Sequence, residues 1–64
     1  MIRINGKDQD VCHSTLLEYL SSEGYNIKRV AVELNGSIVP RSEYESTALK
    51  NGDVMEIVSF VAGG

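Results

Sequence analysis

Cys12 and His13 stand side by side, the first pairing in this sequence from which a nucleophile and its base could be assembled. Neighbours in an extended segment point to opposite faces, so the thiol and the imidazole cannot meet there. Cys12 therefore reads as a buried structural thiol. His13, with no carboxylate at a useful spacing, reads as a residue at the surface ahead of a helix. Glu43 and Glu45 lie in a polar stretch and read as solvated charges rather than an acid/base pair. Gly24, Gly36 and Gly52 each fit a turn, and no phosphate-cradling GxxxxGK[ST] or GxGxxG pattern occurs. No CxxC pair or Cys/His cluster exists to hold a metal. These residues do not assemble an enzyme, and no cofactor or metal is expected. What remains is the end of the sequence, "FVAGG", where an apolar run narrows to Ala62, Gly63 and Gly64 and presents an α-carboxylate.

The elements that must position this tail follow from local patterns. In "MIRIN", Ile2 and Ile4 alternate with Arg3 and Asn5 in the period of a half-buried strand. Gly6 and Lys7 are expected to turn the chain, and Asp8 to His13 to return as a second strand with Val11 as its apolar contact. Thr15 to Glu18, "TLLE", has the form of a capping box and should begin a helix. Leu16, Leu17 and Leu20 share a face of that helix, and Gly24 can take the left-handed conformation that ends it after Glu23. A helix of about two turns needs a sheet to pack against. "RVAVELNG" puts Val30, Val32 and Leu34 on one strand face and Ala31 and Glu33 on the other, with Asn35-Gly36 as turn. Ser37 to Val39 continues as a short strand before Pro40, which has no N–H for a ladder. "RSEYESTALKNGD" reads as a loop with one helical turn, and Val54 to Val61 as a final strand long enough for the middle of a sheet.

The order β-β-α-β-β-β predicts an α+β domain, a sheet of four to five strands with one helix across one face. Parity turns Ile2, Ile4, Val32, Leu34, Met55 and Ile57 inward against Leu16, Leu17 and Leu20. It leaves Glu56, Val58 and Phe60 on the outer face, beside Ala31 and Glu33 of a neighbouring strand. Two apolar residues of three on a face that is normally polar suggest a surface for a partner.

Composition bounds the setting. Sixty-four residues make one domain, with 42% hydrophobic residues and a single Pro, so the sequence reads as globular. A chain of this size buries only about 60% of the surface it exposes when unfolded. The net charge of −3 arises from nine acidic and six basic residues dispersed along the chain, which argues against a nucleic-acid partner. A single Cys fits a reducing compartment. Met1 leads straight into strand-like alternation with no basic n-region, apolar h-region or membrane-spanning run, so a cytoplasmic location and no membrane association are expected.

Across almost its whole length the sequence resembles the ThiS family, the sulfur carrier proteins of thiamine biosynthesis. The resemblance rests on the opening "IRING", the "TLLEYL" helix, the "VELNGSIVPRSEY" block, "NGDVMEIVSFV" and the terminal "AGG". It implies a ubiquitin-like β-grasp domain over residues 1–61 and a flexible Gly-Gly tail over residues 62–64. It further implies that the working group is the carboxylate of Gly64, which an E1-like adenylating enzyme would activate with ATP. Sulfur from a cysteine desulfurase or another donor would then displace AMP, leaving a thiocarboxylate for thiazole synthase to use. Glycines suit such a tail, since side chains would obstruct its approach to a nucleotide. Four extended residues reach about 13 Å from the body. A monomer is expected when the protein is free, with the outer sheet face docking on its enzymes. The short length and "IVPR" favour the thiazole pathway over a carrier for molybdenum-cofactor assembly or tRNA thiolation, or a ubiquitin-like protein tag. A β-grasp binding module without covalent chemistry is the alternative of a different class.

Overall fold

The computed structural model describes residues 1–11 and 15–60, so Cys12, His13, Val61 and the tail, residues 62–64, lie outside the described residues. Five strands and one α-helix follow in the order β1 (Ile2–Ile4), β2 (Lys7–Gln9), α1 (Leu16–Ser22), β3 (Val30–Leu34), β4 (Ser37–Val39) and β5 (Val54–Ser59). Short 3-10 turns at Ile27–Arg29 and Arg41–Glu43 complete the chain, the second being the helical turn expected in the loop after Pro40. The strands form one sheet in the order β2-β1-β5-β3-β4. Its central pair, β1 with β5, is parallel, and the other pairings are antiparallel. This is the expected mixed β-grasp sheet, with β5 in the middle.

Two hairpins set the register. At Asn5-Gly6 and at Asn35-Gly36 both residues have positive φ (50° and 82°, 52° and 87°), the conformation of a two-residue type I′ turn. The first turn forces Ile4 opposite Lys7 and Ile2 opposite Gln9. The turn is therefore Asn5-Gly6 rather than Gly6-Lys7, and β2 begins at Lys7 and ends at Gln9 instead of running from Asp8 to His13. A two-residue loop leaves β2 only the three partners that β1 offers. Val11 lies beyond the ladder and packs at the core's edge. At the far end β5 runs to Ser59 and the Phe60 N–H still donates to the Arg29 carbonyl at 2.7 Å, while Val61, where the strand was expected to end, lies outside the described residues.

The helix start is fully satisfied. Thr15 Oγ1 accepts from the Glu18 N–H while Glu18 Oε1 accepts from the Thr15 N–H, closing the capping box. The two remaining free amides of the first turn donate outside the helix, Leu16 N to the Thr47 carbonyl at 2.9 Å and Leu17 N to the Tyr44 carbonyl at 3.0 Å. At the other end Gly24, φ 80°, lets Tyr25 N reach the Leu20 carbonyl and Gly24 N the Ser21 carbonyl, a Schellman closure.

The core lies between α1 and the inner sheet face and comprises Ile2, Ile4, Leu16, Tyr19, Leu20, Val30, Val32, Tyr44, Met55 and Ile57. Leu17 and Leu34, expected inside, are only half-buried at its margin. Their places are taken by Tyr19, one helical turn from Leu16, and by Tyr44, whose hydroxyl points to the Val30 carbonyl at 3.5 Å. Among the described residues no helix is long and apolar enough to cross a membrane.

Candidate functional site: the outer sheet face

Alternation along β3 and β5 dictates what faces outward. Met55 and Ile57 are buried in the core, and Val54, Glu56 and Val58 between them are exposed. Ladder pairing then sets Ala31 opposite Val58 and Glu33 opposite Glu56, with Ile38 of β4 opposite Glu33 on its other side. The five residues expected on this face, Glu56, Val58, Phe60, Ala31 and Glu33, are thus brought together, with Phe60 just past the end of β5 where the chain leaves the sheet. Val58 is 55% and Phe60 58% exposed.

Parity also places two apolar residues here that the sequence reading did not assign to the face. Val54 continues the Glu56–Val58 alternation by one step, and Ile38, 67% exposed, extends the face onto β4. The same period-two rule contained both signals. Of the five large hydrophobic side chains exposed among the described residues, three lie along β5 or at its end, Ile38 lies on β4 and only Met1 lies off the face. The patch is therefore concentrated rather than scattered, which distinguishes a binding surface from ordinary surface apolarity. Ala31, Val32, Glu33, Ile38, Glu56 and Val58 enclose a shallow depression of about 150 Å³.

Charge is unevenly placed around the patch. Lys28 and Arg29 precede β3, and Arg41 Nη2 donates to the Lys28 carbonyl at 3.1 Å, so half of the six basic residues gather where Phe60 pairs with Arg29. Arg3, on β1, forms an ion pair with Asp8 at 3.1 Å. Among the described residues no group of His, Cys, Asp and Glu could hold a metal ion. A second, more polar depression lies at the opposite end of β1, between Met1, Asp10, Lys50 and Asn51. The face is an exposed, largely apolar surface that runs along β5 to Phe60, the last described residue.

Comparison with known proteins bears on what such a surface serves. The ThiS family model matches residues 2–64. The sulfur carrier protein ThiS of Bacillus subtilis is 38% identical over 68 residues, with both chains covered in full. A protein named thiazole synthase from Paramagnetospirillum magneticum is 44% identical over 62 residues, which are 95% of this chain but 19% of that much longer protein. The crystal structure of the thiamine biosynthesis protein ThiS from Geobacter metallireducens superposes with a TM-score of 0.81 at 33% identity, covering 98% of this chain and 97% of that one. A family match that runs from β1 through the final Gly-Gly, joined to a β-grasp fold of the same topology, means that this chain belongs to the ThiS family.

Proposed function

We propose that this protein carries sulfur for thiamine biosynthesis as a thiocarboxylate on Gly64. The observation that carries the reading is the family match extending through Gly63 and Gly64, since a carrier of this kind is defined by its terminal carboxylate. The chain is a carrier and not a catalyst, so the chemistry belongs to its partners. A carboxylate is a poor electrophile. An E1-like enzyme couples it to the α-phosphate of ATP with release of pyrophosphate, and a sulfur nucleophile supplied by a cysteine desulfurase or another donor then displaces AMP. Ala62 and Gly63 supply a slender arm that admits Gly64 to a narrow nucleotide site. Thiazole synthase receives the sulfur, a partnership supported by the thiazole synthase relative that holds a stretch like this chain within its own length.

The outer face supplies the grip. Val58 and Phe60 offer apolar area where the described chain ends, with Ala31, Glu33 and Glu56 around them, so a partner seated on the sheet sits next to the start of the C-terminal residues. Docking of this sort leaves the free protein a monomer in the cytoplasm. Removing Gly64 separates the carrier from a non-covalent binding module. The truncated protein should keep its fold and lose all sulfur transfer, whereas a binding module would keep its function. Cys12→Ser is the control, and it should still accept sulfur at Gly64. Complete loss of thiocarboxylate in a folded Cys12→Ser protein would move the sulfur chemistry off the tail.

A further inference from the structure

Glu33 and Glu56 are directly opposite one another on β3 and β5, and both side chains are exposed on the outer face. Like charges in that position destabilise a sheet. Among the described residues neither carboxylate has an ion-pair partner. The ion pair among the described residues joins Arg3 to Asp8, and Arg41 is turned toward the Lys28 carbonyl. On its other side Glu33 meets Ile38, an apolar neighbour. Two facing carboxylates thus stand in the middle of the sheet, neither of them in a salt bridge among the described residues.

The ground beside them is apolar. The depression of about 150 Å³ is lined by Ala31, Val32, Ile38 and Val58 together with the two glutamates. An apolar trough with paired anions beside it is the complement of a side chain with an aliphatic stem and a cationic head. Arginine fits better than lysine, because the planar guanidinium presents five donors in a rigid fork and can address two carboxylates at once, whereas an ammonium is a compact and strongly hydrated point charge.

We propose that this depression receives an arginine side chain of thiazole synthase, its stem against Ala31, Val58 and Ile38 and its guanidinium bridging Glu33 and Glu56. The inference rests on the reading of the outer face as the docking surface and deepens it by naming the group that the face selects. Arginine binding converts a repulsive pair into charge-assisted hydrogen bonds in a site that the partner shields from water. The glutamates therefore cost the free carrier stability and return it as specificity for a partner with a cation in register, while rejecting one that presents an anion there.

The test compares Glu33→Gln/Glu56→Gln with Val58→Asp and the parent protein, each titrated calorimetrically against purified thiazole synthase at two salt concentrations, alongside thermal melts. The double glutamine variant should melt at or above the parent temperature, bind at least about tenfold more weakly and lose most of the salt dependence of binding. Parent-like affinity in that variant overturns the proposal, and so does a large drop in melting temperature, which would show that the carboxylates serve the fold. If Val58→Asp weakens binding and the double glutamine variant does not, the arginine site is wrong while the docking face stands. If neither substitution changes the affinity, both readings fail.

Discussion

Asn5 and Ile57, 52 residues apart in sequence, are joined through both ends of one side-chain amide. The Ile57 N–H donates to Asn5 Oδ1 at 2.7 Å, and Asn5 Nδ2 donates to the Ile57 carbonyl at 3.2 Å. β1 pairs with β5 only as far as Ile4 opposite Met55, and the Asn5 N–H adds a bond to the Met55 carbonyl. The Asn5 side chain then extends the ladder by one more residue. Asn35 acts in the same way at the other end of β5, where its Oδ1 accepts from the Val54 N–H and its own N–H donates to the Val54 carbonyl. The two hairpin asparagines thus hold the central strand at its start, Val54, and in its second half, Ile57.

Asn5→Gly keeps the positive φ of the turn and removes both bonds to Ile57, so it should cost about 1–3 kcal/mol. Asn5→Ala should cost a further ~1–2 kcal/mol, because alanine is strained in the left-handed region. Denaturant midpoints of the two variants measure this order directly. A glycine variant as stable as the parent would show that the side-chain amide adds nothing to the strand.

Ile57 itself tests the assignment of sheet faces. Its side chain is buried against the helix while those of Glu56 and Val58 are exposed. Ile57→Ala should cost about 2–5 kcal/mol, a large share of the stability of a domain this small. An unchanged midpoint would mean that the inner and outer faces are reversed.

Much of this fold is legible locally, and the reason is visible in particular residues. Thr15 and Glu18 cap each other three positions apart, Gly24 closes the turn that precedes it, and Asn35-Gly36 sets its own hairpin, so each announces itself within a few positions. Tyr44 does not. It is an aromatic residue within a polar stretch, and it is buried because its carbonyl and that of Thr47 cap a helix some thirty residues upstream. Such a tie has no local signature. The limits of β2 were obscured for the opposite reason, since Asn5-Gly6 and Gly6-Lys7 are both acceptable turns and only pairing with β1 decides between them. On the outer face, alternation along β5 assigned Val58 and Phe60, and the same alternation puts Ile38 on the face opposite to Val39 on β4, but that β4 lies next to β3, with Ile38 beside Glu33, is known only from the sheet.

Phe60 tests the docking surface. Its side chain is more than half exposed, so Phe60→Asp should leave the melting temperature nearly unchanged. Binding to the adenylating enzyme should weaken by about 2 kcal/mol or more if the ring is a central anchor. Calorimetric titration of the two proteins decides the matter. Equal affinities would remove this face from the docking surface.

Tyr19 gives the fold a pH signature. Burial pushes its phenol above the ordinary value of 10.0, and the charge of Glu23 and the neighbouring Tyr25 push in the same direction. A folded-state value above the unfolded one favours the protonated form. The stability this reflects is fully present below pH 10.0 and is lost as pH rises through the raised value. Tyr19→Phe should therefore lose less stability than the parent when melts are extended above pH ~10. Parallel pH profiles would mean that Tyr19 ionises as freely in the folded protein as in the unfolded chain.

The central claim is that sulfur rides on Gly64, and intact-mass analysis of the protein purified from cells that contain the adenylating enzyme and a sulfur donor tests it most directly. A fraction of the protein should show the gain that marks replacement of one oxygen by sulfur, fragmentation should place that gain at Gly64, and deletion of Gly64 should abolish it. Only the unmodified mass in cells actively making thiamine, or a gain that fragments to Cys12 instead, would contradict the account.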